Sequence, residues 1–127
     1  MSTNYYSLSF APGDRQPDIT PALLQEIKDS EMVAIDTETT GLQYDSRILG
    51  ISVAWRNQQG MHSLYANVGH PQSLFAERTD PQAVQDLVDA VFTGQRPVAL
   101  LNAIFDLEKL SRWGYLDLPK DVGYLVD

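Results

Sequence analysis

The sequence predicts a single α/β domain in which a mixed β-sheet is flanked by helices in three layers. Its 127 residues, 43% of them hydrophobic, suffice for one domain with its own core but not for two. Short apolar runs typical of strands alternate with segments of helical periodicity. After a first helix, the predicted order is strand, strand, strand, helix, strand and helix. This order indicates that the last strand lies parallel to its sheet partner through a helical crossover.

Residues 1–20 are expected to form an N-terminal arm, because their prolines and glycine interrupt any regular element. The domain itself is expected over residues 21–127. It begins with a helix over about 21–29, for which Thr20 is the N-cap and Pro21 the first helical residue. Three apolar residues then share one face of this helix: Leu23, Leu24 and Ile27.

Three strands are predicted after this helix. Met32–Ile35 is a short run of β-forming apolar residues that ends at Asp36, and it is expected to be buried on both faces of the sheet. Ile48–Trp55 and Met61–Asn67 are separated by residues 57–60, whose composition is typical of a turn. The two segments are therefore predicted to form an antiparallel hairpin.

A strong helix is predicted over residues 81–92, with Asp80 as its N-cap and Gly94 at its end. Its apolar residues fall on one stripe: Val84, Leu87, Val88 and Val91.

The last part of the chain predicts one strand and one helix. Val98–Leu101 is an apolar run expected to be a buried strand. Asn102 then caps a helix over about 103–113, which Gly114 ends. The remaining residues, 116–127, are expected to be extended or irregular.

The composition limits the function classes. Acidic residues outnumber basic ones by 17 to 9, and the net charge of −8 argues against a protein that holds nucleic acid by bulk electrostatics. The absence of cysteine excludes thiol catalysis, zinc–thiolate sites and disulfides, and it fits a reducing compartment. The sequence contains no apolar stretch of membrane-spanning length and no secretory signal, so a cytoplasmic protein without a membrane partner is expected.

A pair of carboxylates follows the first strand of the predicted domain. Asp36 and Glu38 are two residues apart, so strand alternation places both side chains on the same face. Two such charges repel each other unless water solvates them or cations bridge them, and oxygen ligands of this kind suit Mg²⁺ or Mn²⁺. A solvated turn after the strand explains the pair equally well.

A third acidic residue belongs to the last predicted helix. Asp106 lies near the start of this helix, four residues after Asn102, and the helix follows a buried strand. Its carboxylate is therefore expected to point toward the end of the sheet. The alternative is a structural use, in which an acidic side chain complements the dipole near a helix N-terminus.

Together these segments resemble the motifs of the DEDD superfamily of 3′–5′ exonucleases, above all the proofreading exonuclease domain of family A DNA polymerases. Asp36–Leu42 matches the first motif, DTET-x-G/S-L, and Asn102–Asp106 matches the second, N-x-x-F/Y-D. Between them the family has a strand similar to Ile48–Ala54 and another that leads to a histidine, here His70. The resemblance spans residues 20–127.

The resemblance implies a fold, an activity and a set of site residues. The implied fold is a ribonuclease-H-like three-layer domain. The implied activity is two-metal hydrolysis of terminal nucleotides from single-stranded or frayed DNA, as in polymerase proofreading, with RNA as an alternative substrate. Asp36, Glu38 and Asp106 are the implied catalytic residues and ligands of two Mg²⁺ or Mn²⁺ ions, with Asp36 bridging both. The implied substrate contacts are Thr37, Leu42, Asn102 and Phe105.

The third motif of the family, a Tyr or His followed by a final Asp, has no counterpart up to Asp127. The domain is therefore expected to be truncated at its C-terminus relative to the family. Its site is expected to be completed by further residues or by a partner chain, such as a polymerase. With three carboxylates for two ions, the chain alone is expected to bind Mn²⁺ weakly and to trim DNA slowly or undetectably.

Two other functions stay open at this point. A catalytically incomplete exonuclease-like module, with a structural or polymerase-interaction role, also fits the missing third motif. A phosphatase with an aspartate nucleophile is the second alternative. Its motif is D-x-D after a strand, however, and here the second position is Glu38.

Overall fold

The structure is a computed structural model that describes residues 2–5, 19–40, 47–69, 79–94, 96–100, 103–115 and 125–126. The elements follow in this order: β1 (Ser2–Tyr5), α1 (Pro21–Lys28), β2 (Met32–Thr39), β3 (Ile48–Asn57), β4 (Gly60–Asn67), α2 (Pro81–Thr93), β5 (Val98–Leu100), α3 (Ala103–Arg112) and β6 (Leu125–Val126). The predicted α/β class is confirmed.

The strands form one mixed sheet in the order β1-β4-β3-β2-β5-β6. Strands β2, β3 and β4 are antiparallel neighbours, which confirms the predicted hairpin. Strand β5 lies parallel to β2, with Val33 opposite Val98, as the helical crossover predicts. Two short strands, β1 and β6, extend the sheet at its edges, and each pairs in parallel with its neighbour.

Two features of the sheet differ from the sequence predictions. The expected N-terminal arm contains β1, which the sequence did not predict because a four-residue edge strand has too little periodicity to detect. Strand β2 extends to Thr39 rather than ending at Ile35, so Asp36 and Glu38 belong to the strand itself.

The helix ends follow the predicted capping residues. The Thr20 hydroxyl accepts a hydrogen bond from the backbone N–H of Leu23, at 3.1 Å, and begins α1. The Asp80 carboxylate accepts from the N–H of Ala83, at 3.3 Å, and begins α2. After α3, Gly114 has a φ of 82°, the left-handed conformation that lets glycine end a helix.

The hydrophobic core lies on one face of the sheet. Val33 and Ile35 of β2 are buried there. All three helices contribute residues to the same core cluster, including Ile27 of α1, Leu87 of α2 and Leu110 of α3. The described residues thus form a sheet and a helical layer on one of its faces, while the third layer stays a prediction.

The opposite face of the sheet corrects one expectation. Strand β2 was expected to be buried on both faces, but Ala34 is exposed. A groove of about 450 Å³ lies along this face. Cross-strand partners with small side chains line it: Ala34, Ser52, Ala54, Ser63 and Ala99. The groove follows from these side chains, which are too short to fill the space above the sheet.

Arg96 joins the C-terminal ends of two helices. Its guanidinium donates to the carbonyl oxygens of Ile27 and Ala90, both at 3.0 Å, and to that of Val91. The residue is only 7% exposed, and this burial lowers the pKa of the guanidinium. These bonds satisfy carbonyl groups that the ends of α1 and α2 leave without intrahelical partners.

No helix among the described residues is long and apolar enough to cross a membrane. The cytoplasmic location stays a prediction.

Candidate active site

The C-terminal half of β2 presents two carboxylates on the open face of the sheet. Along β2, Val33 and Ile35 are buried, whereas Asp36 and Glu38 are exposed. This alternation confirms that the two acidic side chains share a face. The pairing register with β3 shifts between Glu38 and Thr39, immediately beyond the pair. Such irregularities re-aim side chains at the end of a strand pair and are common next to active sites.

Asp106 reaches the same region from α3. It lies in the first turn of the helix and is 1% exposed. Its Oδ1 accepts a hydrogen bond of 2.6 Å from the hydroxyl of Thr37, whose side chain points away from the face that carries Asp36 and Glu38. Its Oδ2 is buried and has no hydrogen-bond partner among the described residues. One oxygen of this buried carboxylate is therefore held by β2, and the other accepts no hydrogen bond from the described residues.

The environment of Asp36 reflects this acidic neighbour. Partial burial raises the pKa of Asp36, and the negative charge of Asp106 raises it further. A hydrogen bond from the backbone N–H of Thr37 acts in the opposite direction and is the smallest of the three effects. The negative charges of Asp36 and Asp106 thus disfavour each other, and a cation bound nearby would relieve this effect.

The carboxylate of Glu38 is held from the far side of β3. The hydroxyl of Tyr65, on β4, donates to Oε2 of Glu38 at 2.8 Å. Burial raises the pKa of the Tyr65 phenol, and the hydrogen bond and charge of Glu38 raise it further. The tyrosine therefore stays a donor at neutral pH. The ring crosses β3 at Gly50, where an added Cβ would lie 2.0 Å from the Tyr65 hydroxyl oxygen.

The chemistry of these groups fits a hard divalent cation. The candidate ligands are carboxylate oxygens, which Mg²⁺ and Mn²⁺ prefer, and Oδ2 of Asp106 is a buried acceptor without a partner in the described part of the chain. Within residues 19–40, 47–69 and the other described segments, no group of three potential metal-binding side chains lies close together. The residues that fit a divalent cation are therefore Asp36 and Asp106. Glu38 lies on the same strand face as Asp36 and is a further candidate ligand.

The predicted substrate contacts are only partly described. Leu42 and Asn102 lie outside the described residues, and so does the side chain of Phe105. Thr37 is described, and it orients Asp106 through its hydroxyl. The family resemblance implied a substrate contact for Thr37 but not this bond, because nothing in the sequence pairs residues 69 positions apart.

Sequence reasoning also missed Tyr65 and Gly50. A glycine inside a strand often marks the close approach of another group, and this was the available signal. The group that approaches Gly50 can be identified only from the strand register. In this register Glu38 of β2 lies opposite Gly50 of β3, and Ser52 of β3 lies opposite Tyr65 of β4.

Comparisons with known proteins add no family assignment. No protein-family model matches the chain, and no curated protein is significantly similar to it. The likeness to DEDD exonucleases accordingly rests on the two sequence motifs.

Proposed function

We propose that this chain carries the site of a metal-dependent 3′–5′ exonuclease that acts on single-stranded or frayed DNA ends. Asp36, Glu38 and Asp106 would hold two Mg²⁺ or Mn²⁺ ions. When bound, these ions supply activation of water as a nucleophile and stabilise the charge on the leaving oxygen.

The proposal is carried by one observation, a buried Asp106 that is bonded to Thr37 beside Asp36 and whose Oδ2 has no hydrogen-bond partner among the described residues. Burial of a carboxylate oxygen without a hydrogen bond costs on the order of several kcal/mol, so a fold retains it where a ligand satisfies it. A structural N-terminal helix acid gains its stability from backbone N–H groups or solvent instead. The first motif supplies the other two acids on an exposed strand face, where a nucleic acid end can approach.

Each residue of the candidate site has a separate role in this proposal. Thr37 fixes the orientation of Asp106 through the 2.6 Å bond to Oδ1. Asp36 and Glu38 present their carboxylates on the open face of β2. The net charge of −8 leaves little general attraction for a polyanion, so binding of a DNA end depends on contacts at the site itself.

The test is a trimming assay on a single-stranded DNA oligonucleotide labelled at its 5′ end, with Mg²⁺ or Mn²⁺ added. A ladder of products shortened from the 3′ end is expected, and an oligonucleotide with a blocked 3′ end should stay intact. Asp36→Ala should lower the rate by about 100-fold or more, since a loss of several kcal/mol of charge stabilisation corresponds to two powers of ten or more. An RNA oligonucleotide of the same sequence separates the two substrate classes.

The matched control is Asp89→Ala, which removes an exposed acidic residue from α2 and should leave the rate unchanged. Trimming that survives Asp36→Ala would show that the site lies elsewhere. A folded chain that neither binds Mn²⁺ nor trims DNA would instead support a structural or polymerase-interaction module.

A further inference from the structure

The carboxylate of Glu38 on β2 is bonded to a side chain of β4, and β3 lies between the two strands. Tyr65 on β4 and Glu38 on β2 are separated by β3, yet their side chains meet in a 2.8 Å hydrogen bond. Tyr65 is 7% exposed whereas Glu38 is exposed, so this bond is partly shielded from competing water. From this geometry we infer that Tyr65 is a positioning residue for Glu38, an inference that rests on the proposed metal-dependent function.

The hydrogen bond restricts how Glu38 can bind an ion. Glutamate has three flexible side-chain torsions, and an exposed glutamate normally samples many rotamers. Because Oε2 accepts the Tyr65 hydroxyl, fewer orientations are open to the carboxylate, and Oε1 is the oxygen that this bond does not engage. Glu38 is therefore expected to bind a divalent ion through one oxygen rather than two.

Gly50 makes this arrangement possible. A Cβ at this position would lie 2.0 Å from the Tyr65 hydroxyl oxygen and 2.3 Å from Cζ of the ring. Any other residue would displace the ring from its path across β3 and break its contact with Glu38. Gly50 is directly opposite Glu38 in the β2–β3 register. The residue that lacks a side chain is therefore the cross-strand neighbour of the glutamate that Tyr65 contacts.

The experiment compares Mn²⁺ binding by the full chain and by Tyr65→Phe, with free Mn²⁺ measured by electron paramagnetic resonance. The phenylalanine ring keeps the shape of the side chain and removes only the hydroxyl, and a thermal melt checks that the variant is folded. The Mn²⁺ dissociation constant should rise about tenfold, the scale found when a group that orients a metal ligand is removed. In trimming assays kcat should fall while KM for the oligonucleotide stays unchanged.

Two controls separate positioning from a general effect on the fold. Tyr115→Phe removes the hydroxyl of a different tyrosine, which is partly buried and packs against the core, and should leave Mn²⁺ binding unchanged. In a Glu38→Gln background, Tyr65→Phe should change the Mn²⁺ dissociation constant less than twofold, because the carboxylate it positions is gone. Infrared spectra of the unaltered chain give a second readout, since one-oxygen and two-oxygen carboxylate binding differ in the splitting of the carboxylate stretches.

The outcomes distinguish a failure of the role proposed for Tyr65 from a failure of the proposed exonuclease function. If the unaltered chain binds Mn²⁺ and folded Tyr65→Phe binds it equally well, the positioning role is overturned and the proposed function stands. An infrared signature of two-oxygen binding that Glu38→Gln removes would overturn it as well. If the unaltered chain binds no Mn²⁺ and trims no DNA, the proposed function fails and the role of Tyr65 falls with it.

Discussion

The bond between Thr37 and Asp106 offers the sharpest test of how the site is built. Thr37→Val replaces the hydroxyl with a methyl group of nearly the same size and keeps the β-branched shape that favours a strand. The change removes the donor to Oδ1 of Asp106, whose Oδ2 already has no hydrogen-bond partner among the described residues. Both oxygens of a carboxylate that is 1% exposed would then be without the bonds the described residues provide.

The size of the effect follows from these contacts. A hydrogen bond to a charged group contributes about 1.5–3 kcal/mol, and leaving a buried acceptor unsatisfied places the cost in the upper half of that range. We therefore expect the free energy of unfolding to fall by about 2–3 kcal/mol. For a chain of this length, this corresponds to a decrease in Tm on the order of 10 °C.

The assay is urea unfolding followed by circular dichroism, with Thr37→Ser as the matched control. Serine keeps the hydroxyl, so its loss should be about 1 kcal/mol or less, from the missing methyl group. In an Asp106→Asn background, Thr37→Val should cost only about 1 kcal/mol, because a bond to a neutral amide oxygen is worth roughly half as much. Trimming by Thr37→Val should also decrease, by about tenfold.

Equal stability of Thr37→Val and the unaltered chain would contradict this expectation, since it would mean that water satisfies Asp106 without cost. The same conclusion would follow if Thr37→Val cost as much with asparagine at position 106 as with aspartate. Either result would also remove the argument that a buried, partly unsatisfied carboxylate is retained for a ligand.

The elements that the sequence predicted well are those specified by neighbouring residues. Thr20 and Asp80 begin helices through bonds to N–H groups three residues away, so the sequence contains both partners within one turn. The common face of Asp36 and Glu38 was predictable for the same reason, because strand alternation depends only on adjacent residues. The parallel pairing of β2 and β5 followed from the connecting helix and the preferred handedness of crossovers.

The features that escaped prediction depend on residues far apart in the sequence. The bond from Tyr65 to Glu38 joins positions 27 residues apart, and it requires the register of three strands and a glycine beneath the ring. Such pairs depend on how the sheet is assembled, which periodicity does not encode.

The open face of the sheet shows a further limit of pattern reasoning. The run Met32–Ile35 consists entirely of apolar residues, and a continuous apolar run is typical of a strand buried on both faces. In the structure Ala34 is exposed and lines the groove instead. Alanine is apolar but small, so its presence in a run does not by itself indicate a packed partner.

Two further predictions concern charged side chains. Arg96→Met should lower the free energy of unfolding by about 3 kcal/mol in urea titrations, because the carbonyl oxygens of Ala90 and Val91 lose the guanidinium donor and that of Ile27 keeps only its bonds from Ser30. Arg96→Lys should recover part of this loss, and equal stability of all three chains would contradict the prediction. Asp36→Asn should abolish trimming. It should also raise the free energy of unfolding at neutral pH by about 0.5 kcal/mol, a small value because Asp36 and Asp106 are together partly solvated. The sign follows from the raised pKa of Asp36: the folded chain holds this proton more tightly than the unfolded chain, so stability falls as the pH rises from the ordinary value of 3.8 through the raised one. The increase in unfolding free energy caused by Asp36→Asn should therefore be absent at pH values below the ordinary pKa of Asp36. It should grow between the ordinary and the raised pKa and stay constant at higher pH, when unfolding is measured from about pH 3 to about pH 8. A gain that did not change with pH would show that repulsion between the two carboxylates is not its cause.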